Sequence, residues 1–403
     1  MKLNPFAIAF VFAALFGLVF TGFSTSDFVA HLDRQVHAIH CSFVPGLATL
    51  DTSGSSGCHV ALMSSYSSFA RSLVWGGIPW ALLGMGTFAF LLFRGVELFV
   101  NRRGTDPGAA LVLVGFSLIP VITSLVMGGI AVFVLGEVCK VCAGIYLSSF
   151  VAFASAIGAW WWARGEALAE PPANPLGPLG YVLGATEAAL FVIVPVGLFL
   201  ATAPDHSKFA GTCGALAHPE APMVTVPIGP HPGKKVAIEV FDPLCPACRG
   251  FEERLSKAGL ADELDRKAVL FPLDSTCNWM VTTSMHPGAC AISEAVICAG
   301  DAPGPVIAWA FAHQEEIVLA AKQDPASAAA KVKAEFPALA ACVGSADARQ
   351  KLNRGLRWAV KNELPVLTPQ LYVDNKKLCD EDTDLGMDFA LARLVKLDAG
   401  GAP

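Results

Sequence analysis

Along the first half of the chain the polar positions thin out into five long apolar runs, at roughly 3–24, 73–100, 109–135, 138–163 and 178–203. Each reaches the ~20 residues that a helix needs to cross ~30 Å of hydrocarbon, so the pattern predicts an all-α transmembrane bundle. The first run could also be a cleaved signal peptide, with Lys2 in front and small residues at Gly22–Ser26, but its length favours an uncleaved anchor. Pro79, Pro120 and Pro195 are expected only to bend their helices, because neighbouring spans can satisfy the freed carbonyls. Glu187 falls inside the fifth run. It is expected near the cytoplasmic end, reaching the interface, with a helix-packing or proton-handling role as the alternative.

From about residue 204 the pattern changes. Residues 204–235 are rich in Pro, Gly, Ala and His and read as a linker with one strand at 222–228. Val236–Asp242 reads as a strand, and Pro243-Leu244-Cys245-Pro246-Ala247-Cys248 turns from it into a helix opening at Arg249. Helical periodicity follows at Ala291–Gly300, Pro305–Gln314, Ala328–Glu335 and Ser345–Glu363, and a last strand at Leu371–Asp374. The second half is therefore an α/β domain.

Charge sharpens this division. Residues 1–203 hold 17 of the 62 Asp, Glu, Lys and Arg residues, in a chain that is 54% hydrophobic and only 15% charged. Such a composition excludes a disordered chain, and a net charge of −6 without a basic block gives no footprint for nucleic acid. Lys2, Arg94, Arg102, Arg103 and Arg164 flank one side of the spans and Arg34, Arg71 and Lys140 the other, which favours a cytoplasmic N-terminus. Five crossings then send the second half outside. Twelve cysteines, an even set, agree with an oxidising compartment there.

Four of the cysteines fall on the outer side of the membrane half. Cys41 and Cys58 lie in the loop 25–72, and Cys139-Lys140-Val141-Cys142 opens the fourth run. Two sulfurs at i and i+3 on a helix N-terminus share one face, and the unpaired N–H groups there favour the reactive thiolate. Together with Cys58-His59-Val60-Ala61-Leu62-Met63-Ser64-Ser65-Tyr66-Ser67, Gly77-Ile78-Pro79 and Tyr146, these residues resemble the vitamin K epoxide reductase family over most of residues 8–163. The resemblance implies a four-helix bundle holding a quinone (ubiquinone or menaquinone) beside the Cys-x-x-Cys. Cys142 would be the sulfur nearest the quinone, Cys139 its partner, and Cys41 and Cys58 the electron shuttle. Ser64 and Tyr146 would be quinone-binding. The family's mammalian members also use a second-helix asparagine, near which this chain has only Thr87. His40-Cys41 and Cys58-His59 form a rival Cys2His2 set, but adjacent residues rarely point both side chains at one ion, so no metal is expected. The histidines are expected to raise thiolate reactivity or to cap the loop.

In the second half, a strand, a Cys-x-x-Cys and a helix in that order are the thioredoxin-like redox signal. Cys245 would be the attacking thiolate and Cys248 the resolving thiol. Thr368-Pro369 resembles the cis-proline loop that offers backbone groups to the substrate chain, and Glu239 matches the buried acid beneath such sites, although strand alternation leaves a solvent-facing position open. The helix-rich stretch between Cys248 and Pro369 resembles the insertion of the DsbA-type thiol oxidases, except that Pro246-Ala247 replaces their Pro-His. Six cysteines remain, with 15 possible pairings. Cys277 with Cys290 would close a short loop, Cys298 with Cys342 would tie two helices, and Cys213 with Cys379 is the remainder.

The expected molecule is thus multidomain. Residues 1–168 form a transmembrane helical bundle with a four-helix core, residues 169–220 a fifth span and linker, and residues 221–403 an extracytoplasmic thioredoxin-like α/β fold with a helical insertion. It would sit in the inner (plasma) membrane with its C-terminal domain in the periplasm. There it would oxidise unfolded secreted proteins with free thiols and pass their electrons to the membrane quinone pool. The alternatives are a reductase or isomerase running the opposite way, and a metal-handling receptor.

Overall fold

The structure is a computed structural model that describes residues 4–35, 37–43, 50–51, 56–100, 104–172, 175–220, 223–229, 232 and 234–396. Lys2, Arg102 and Arg103, used above for topology, lie outside the described residues. The chain divides into two compact units, Met1–Asp205 and His206–Pro403.

In the first unit, five helices are long and apolar enough to cross a membrane. The elements before the first crossover are α1 (Pro5–His31), the paired two-residue strands β1 (Ile39–His40) and β2 (Leu50–Asp51), and the short helix α2 (Gly57–Met63). A second small pair, β3 (Ser68–Phe69) with β4 (Ile78–Pro79), leads into α3 (Trp80–Val100), followed by α4 (Pro107–Ile130), α5 (Lys140–Ala169) and α6 (Pro178–Thr202). Asn4 and Asp106 cap α1 and α4 with side-chain oxygens, as the orphan N–H groups of a helix start require.

Helices α1, α3, α4 and α5 share a core of Phe10, Ala14, Phe88, Leu91, Leu113 and Ala156. Small residues let them approach closely, since lipid gives apolar side chains no reason to prefer each other. A Cβ on Gly17 would stand 2.3 Å from the Phe88 ring, and one on Gly144 2.6 Å from Phe20. The fifth span, α6, lies against α3, where Gly86 admits the backbone of Phe191. Glu187 Oε2 reaches Arg94 Nη1 at 3.3 Å, and Arg94 also pairs with Glu97. Glu187 is therefore a helix-packing residue rather than one reaching for the interface. Pro120 and Pro195 sit inside helices as expected. Pro79 does not: it ends β4, and residues 73–79 form turns and a strand in place of the first turns of a span.

In the second unit the sheet has the order β5-β7-β6-β8-β9, from Val226–Gly229 (β5), Lys235–Phe241 (β6), Leu264–Leu270 (β7), Gln370–Val373 (β8) and Lys376–Lys377 (β9). Strands β6 and β7 are parallel, joined across α7 (Pro246–Lys257), and the other pairs are antiparallel. A βαβ unit, a ββ hairpin and a closing helix make a thioredoxin-like fold. Between β7 and β8 stand α8 (Ala289–Cys298), α9 (Gly304–Ala312), α10 (Gln314–Gln323), α11 (Ser327–Glu335) and α12 (Ala346–Lys361), and α13 (Met387–Lys396) closes the domain. Four of the five inserted helices follow the sequence periodicity, and α10 was missed because its sequence continues α9 without a Gly or Pro break. The unit also begins earlier than residue 221. Cys213 is bonded to Cys379, Leu216 is buried, and Trp358 Nε1 donates to His218 O at 3.1 Å.

Candidate functional site

Four disulfides are formed: Cys41–Cys58, Cys213–Cys379, Cys277–Cys290 and Cys298–Cys342. The free cysteines among the described residues are the two Cys-x-x-Cys pairs. The three structural pairs thus fall as the spacing suggested. The cysteines of the rival Cys2His2 set are bonded to each other.

At the membrane site, the chain ends its third crossing in a π turn over Ala131–Leu135, reverses at Gly136 with φ +69°, and starts α5 with Cys139 as its N-cap. Cys139 has extended backbone, φ −81° and ψ 120°, and its Sγ accepts the Cys142 amide N–H at 3.2 Å. An orphan N–H at a helix start therefore points at sulfur, which favours a thiolate there. Helix α2 is brought up beside this turn because Gly57 has no side chain: a Cβ would stand 2.5 Å from the Val138 carbonyl oxygen. Cys58, the next residue, is thereby held over the Cys-x-x-Cys.

Cys58, Cys139 and Cys142 all open on one cavity of about 300 Å³ inside the first unit, at the small end of the ~300–1,000 Å³ typical of small-molecule sites. Its wall is mainly apolar, from Phe28, Phe88, Leu83, Met127 and Ile145, with Ser64, Thr87, Thr123 and Tyr146 as polar points. Ser64 and Tyr146 both line this cavity. The Ser64 hydroxyl donates to Ala61 O at 2.8 Å and the Thr87 hydroxyl to Leu83 O at 2.8 Å, so each retains lone pairs toward the cavity. Sequence reading missed Asp27 and underused His40, which also line it. Asp27 sits in an otherwise apolar span, and that isolation was the available signal.

At the soluble site, Cys245 is the N-cap of α7 with φ −81° and ψ 119°. The cis peptide bond Thr368–Pro369 places Thr368 O 3.7 Å from Cys245 Sγ. The Cys245 pKa is pulled down to about 6, first by the hydrogen bond from the Cys248 thiol and then, against the cost of burial, by Thr368 and the helix amide. Thr368 Oγ1 is buried with no other hydrogen-bond partner among the described residues, which leaves its proton for the thiolate. Cys248 is fully buried, and burial followed by the neighbouring Cys245 raises its pKa well above the usual thiol value. One attacking and one resolving thiol result.

Glu239 on β6 is 2% exposed, which settles its face as the buried one, and Arg266 Nη2 contacts it at 2.8 Å. Burial raises its pKa while the guanidinium opposes the rise. Arg266 also pairs with Glu252 of α7, so β6, β7 and the active helix are tied by one charge cluster. Two further supports were invisible in sequence. Asp242, three residues before Cys245, accepts from the Leu244 and Leu273 amides and from His286 Nδ1 at 2.8 Å. Burial alone would lower the His286 pKa, but the Asp242 carboxylate raises it. Gln314, at the start of the unforeseen α10, donates to Cys245 O at 2.9 Å.

Comparison with known proteins decides the first unit. The model of the vitamin K epoxide reductase family matches residues 8–157. This domain contains the Cys139/Cys142 pair, the Cys41–Cys58 disulfide and the cavity between them. The second unit is similar to the crystal structure of a thioredoxin-like oxidoreductase from Silicibacter pomeroyi DSS-3, at 16% identity over 39% of this chain and 84% of that one, with a TM-score of 0.26. Its fold is carried by its own sheet order, cis-proline and Cys-x-x-Cys rather than by that likeness. No curated protein matches the chain. The family match, the five long apolar helices among the described residues and the Cys-x-x-Cys of the second unit together support a multi-pass membrane thiol–disulfide oxidoreductase.

Proposed function

We propose that this enzyme makes disulfide bonds in secreted proteins and delivers the electrons to a membrane quinone, ubiquinone or menaquinone. Client thiols reduce the Cys245–Cys248 disulfide, the resulting dithiol reduces Cys41–Cys58, and that pair reduces Cys139–Cys142. Each step is thiolate attack on a disulfide, moving two electrons and two protons without a diffusible carrier. A bound quinone supplies the final acceptor, taking two electrons and two protons to become quinol. Cys142 is assigned as the sulfur nearest it, with Ser64 and Tyr146 on the cavity wall as its polar neighbours. Thr368 and Pro369 hold the client chain against Cys245, and Glu239 handles the proton of Cys248.

The observation that carries this reading is the single apolar cavity onto which Cys58, Cys139 and Cys142 all open. Its mainly apolar wall with a few polar points suits a flat, largely apolar ring with polar edges. The basic-residue bias of the sequence and the disulfides of the second unit support placing it in the periplasm. The test uses purified protein in detergent, a reduced unfolded client and ubiquinone-1: quinol and client disulfide should appear in equal amounts. Client disulfides that are instead reduced or reshuffled, with quinone untouched, would establish the reverse direction.

A further inference from the structure

Quinone reduction needs protons as well as electrons, and the mainly apolar wall of the cavity offers few groups to bring them. One pair of ionisable side chains faces that cavity beside the sulfurs. Asp27, near the end of α1, is 6% exposed. Its Oδ2 accepts the backbone N–H of His40 at 2.9 Å, and its Oδ1 lies 2.7 Å from His40 Nδ1. The Phe23 ring, 4.9 Å away between centroids, fixes the imidazole from the side. Both Asp27 and His40 line the cavity together with Cys58, Cys139 and Cys142. With Asp27 engaging Nδ1, the proton on that nitrogen is fixed and Nε2 becomes the exchangeable position. Nε2 has no hydrogen-bond partner among the described residues.

We infer that His40, held by Asp27, is the proton-transfer residue of the membrane site, an assignment that rests on the quinone reading above. When the Cys139–Cys142 S–S bond forms, two electrons leave the sulfurs and two thiol protons are released. His40 Nε2 gives its proton to an acceptor oxygen as charge develops there and is recharged by a proton from the thiol pair. Two protons leave sulfur and two arrive on oxygen, so the dyad ends each turnover as it began. Asp27 is a positioning residue: it selects the tautomer and orients the ring. The same carboxylate also holds the His40 backbone N–H.

The full chain in detergent, with Cys139 and Cys142 reduced, is mixed with ubiquinone-1 and followed through one turnover. The wild type should form quinol and lose both thiols to alkylating reagent; failure here removes the quinone reading, and the inference with it. His40→Ala should slow the saturated rate by ~100-fold, the usual worth of a positioned proton donor. Its ubiquinone-1 affinity, read from Trp80 fluorescence at the cavity wall, should be unchanged, as should quinone-free exchange between Cys41–Cys58 and Cys139–Cys142. Added imidazole should restore part of the rate. Asp27→Asn should give a smaller drop, again at unchanged affinity. A wild-type rate in His40→Ala, a loss confined to affinity, or no response to imidazole would overturn the assignment.

Discussion

The molecule contains two Cys-x-x-Cys sites whose first cysteines have nearly the same backbone, φ −81° and ψ 120° at Cys139 against φ −81° and ψ 119° at Cys245. Each is an N-cap, and each leaves its partner sulfur one turn inside the helix. Their surroundings differ in every other respect. Cys139 takes its amide donor from its own helix and opens on an apolar cavity between membrane spans. Cys245 lies under the Thr368–Pro369 loop and rests on a network of buried charges. Local backbone favours a thiolate in both places; under the proposed function, the walls decide whether the partner is a small apolar molecule or an extended chain.

The sharpest way to break this comparison is to remove one sulfur. Cys142→Ala should reduce quinone turnover to background while Cys245 still forms mixed disulfides with clients, as trapped and counted on non-reducing gels. Undiminished turnover would show that the two sites do not act in sequence. Next in size is the charged floor of the soluble site. Arg266→Ala leaves Glu239 buried without its partner and should cost ~3–5 kcal/mol in denaturant unfolding of the second unit, with no change in quinone affinity of the first.

The pH response sharpens the contrast further. A Cys245 thiolate formed with a pKa of about 6 stabilises the reduced fold fully above the unfolded thiol value and loses that contribution as pH falls through about 6. Alkylation of Cys245 should therefore rise with pH to a plateau with its midpoint near 6. Thr368→Val, which deletes the hydroxyl proton, should move the midpoint up by about one pH unit. The smallest effect is expected at Gly57→Ala, whose methyl meets the Val138 carbonyl: exchange between Cys41–Cys58 and Cys139–Cys142 should slow several-fold, read by quenched-flow alkylation. An unchanged rate would mean that the close seating of α2 is not needed for relay.

Much of this architecture was legible in the chain because single-residue chemistry and long periodicities both survive in sequence. The spans were visible from length and apolarity, the two redox centres from Cys-x-x-Cys before a helix, and the structural disulfides from short loops and helix spacing. What escaped depends on neighbours distant in the chain. Residues 73–79 are apolar enough to extend a span, yet paired turns claim them, and hydropathy cannot see a β bridge between Phe69 and Ile78. Asp242 looked like an ordinary turn residue until His286 and the Leu273 amide arrived from 31 and more residues away. The junction between α9 and α10 has no breaker residue, so only packing separates them. Asp27 and His40 are 13 residues apart on opposite sides of a turn, a spacing that no helical or strand period connects.

The charge triad of Arg94, Glu97 and Glu187 carries a consequence for biogenesis. A carboxylate in the middle of an apolar span opposes insertion by a few kcal/mol, and α6 is made last of the five. Its counter-ion is already embedded when α6 emerges, so the fifth span can be threaded into lipid as a late arrival that docks on α3. Synthesised alone, the same segment would meet the translocation machinery with its acid unanswered, and everything that follows it in the chain would inherit an uncertain side of the bilayer.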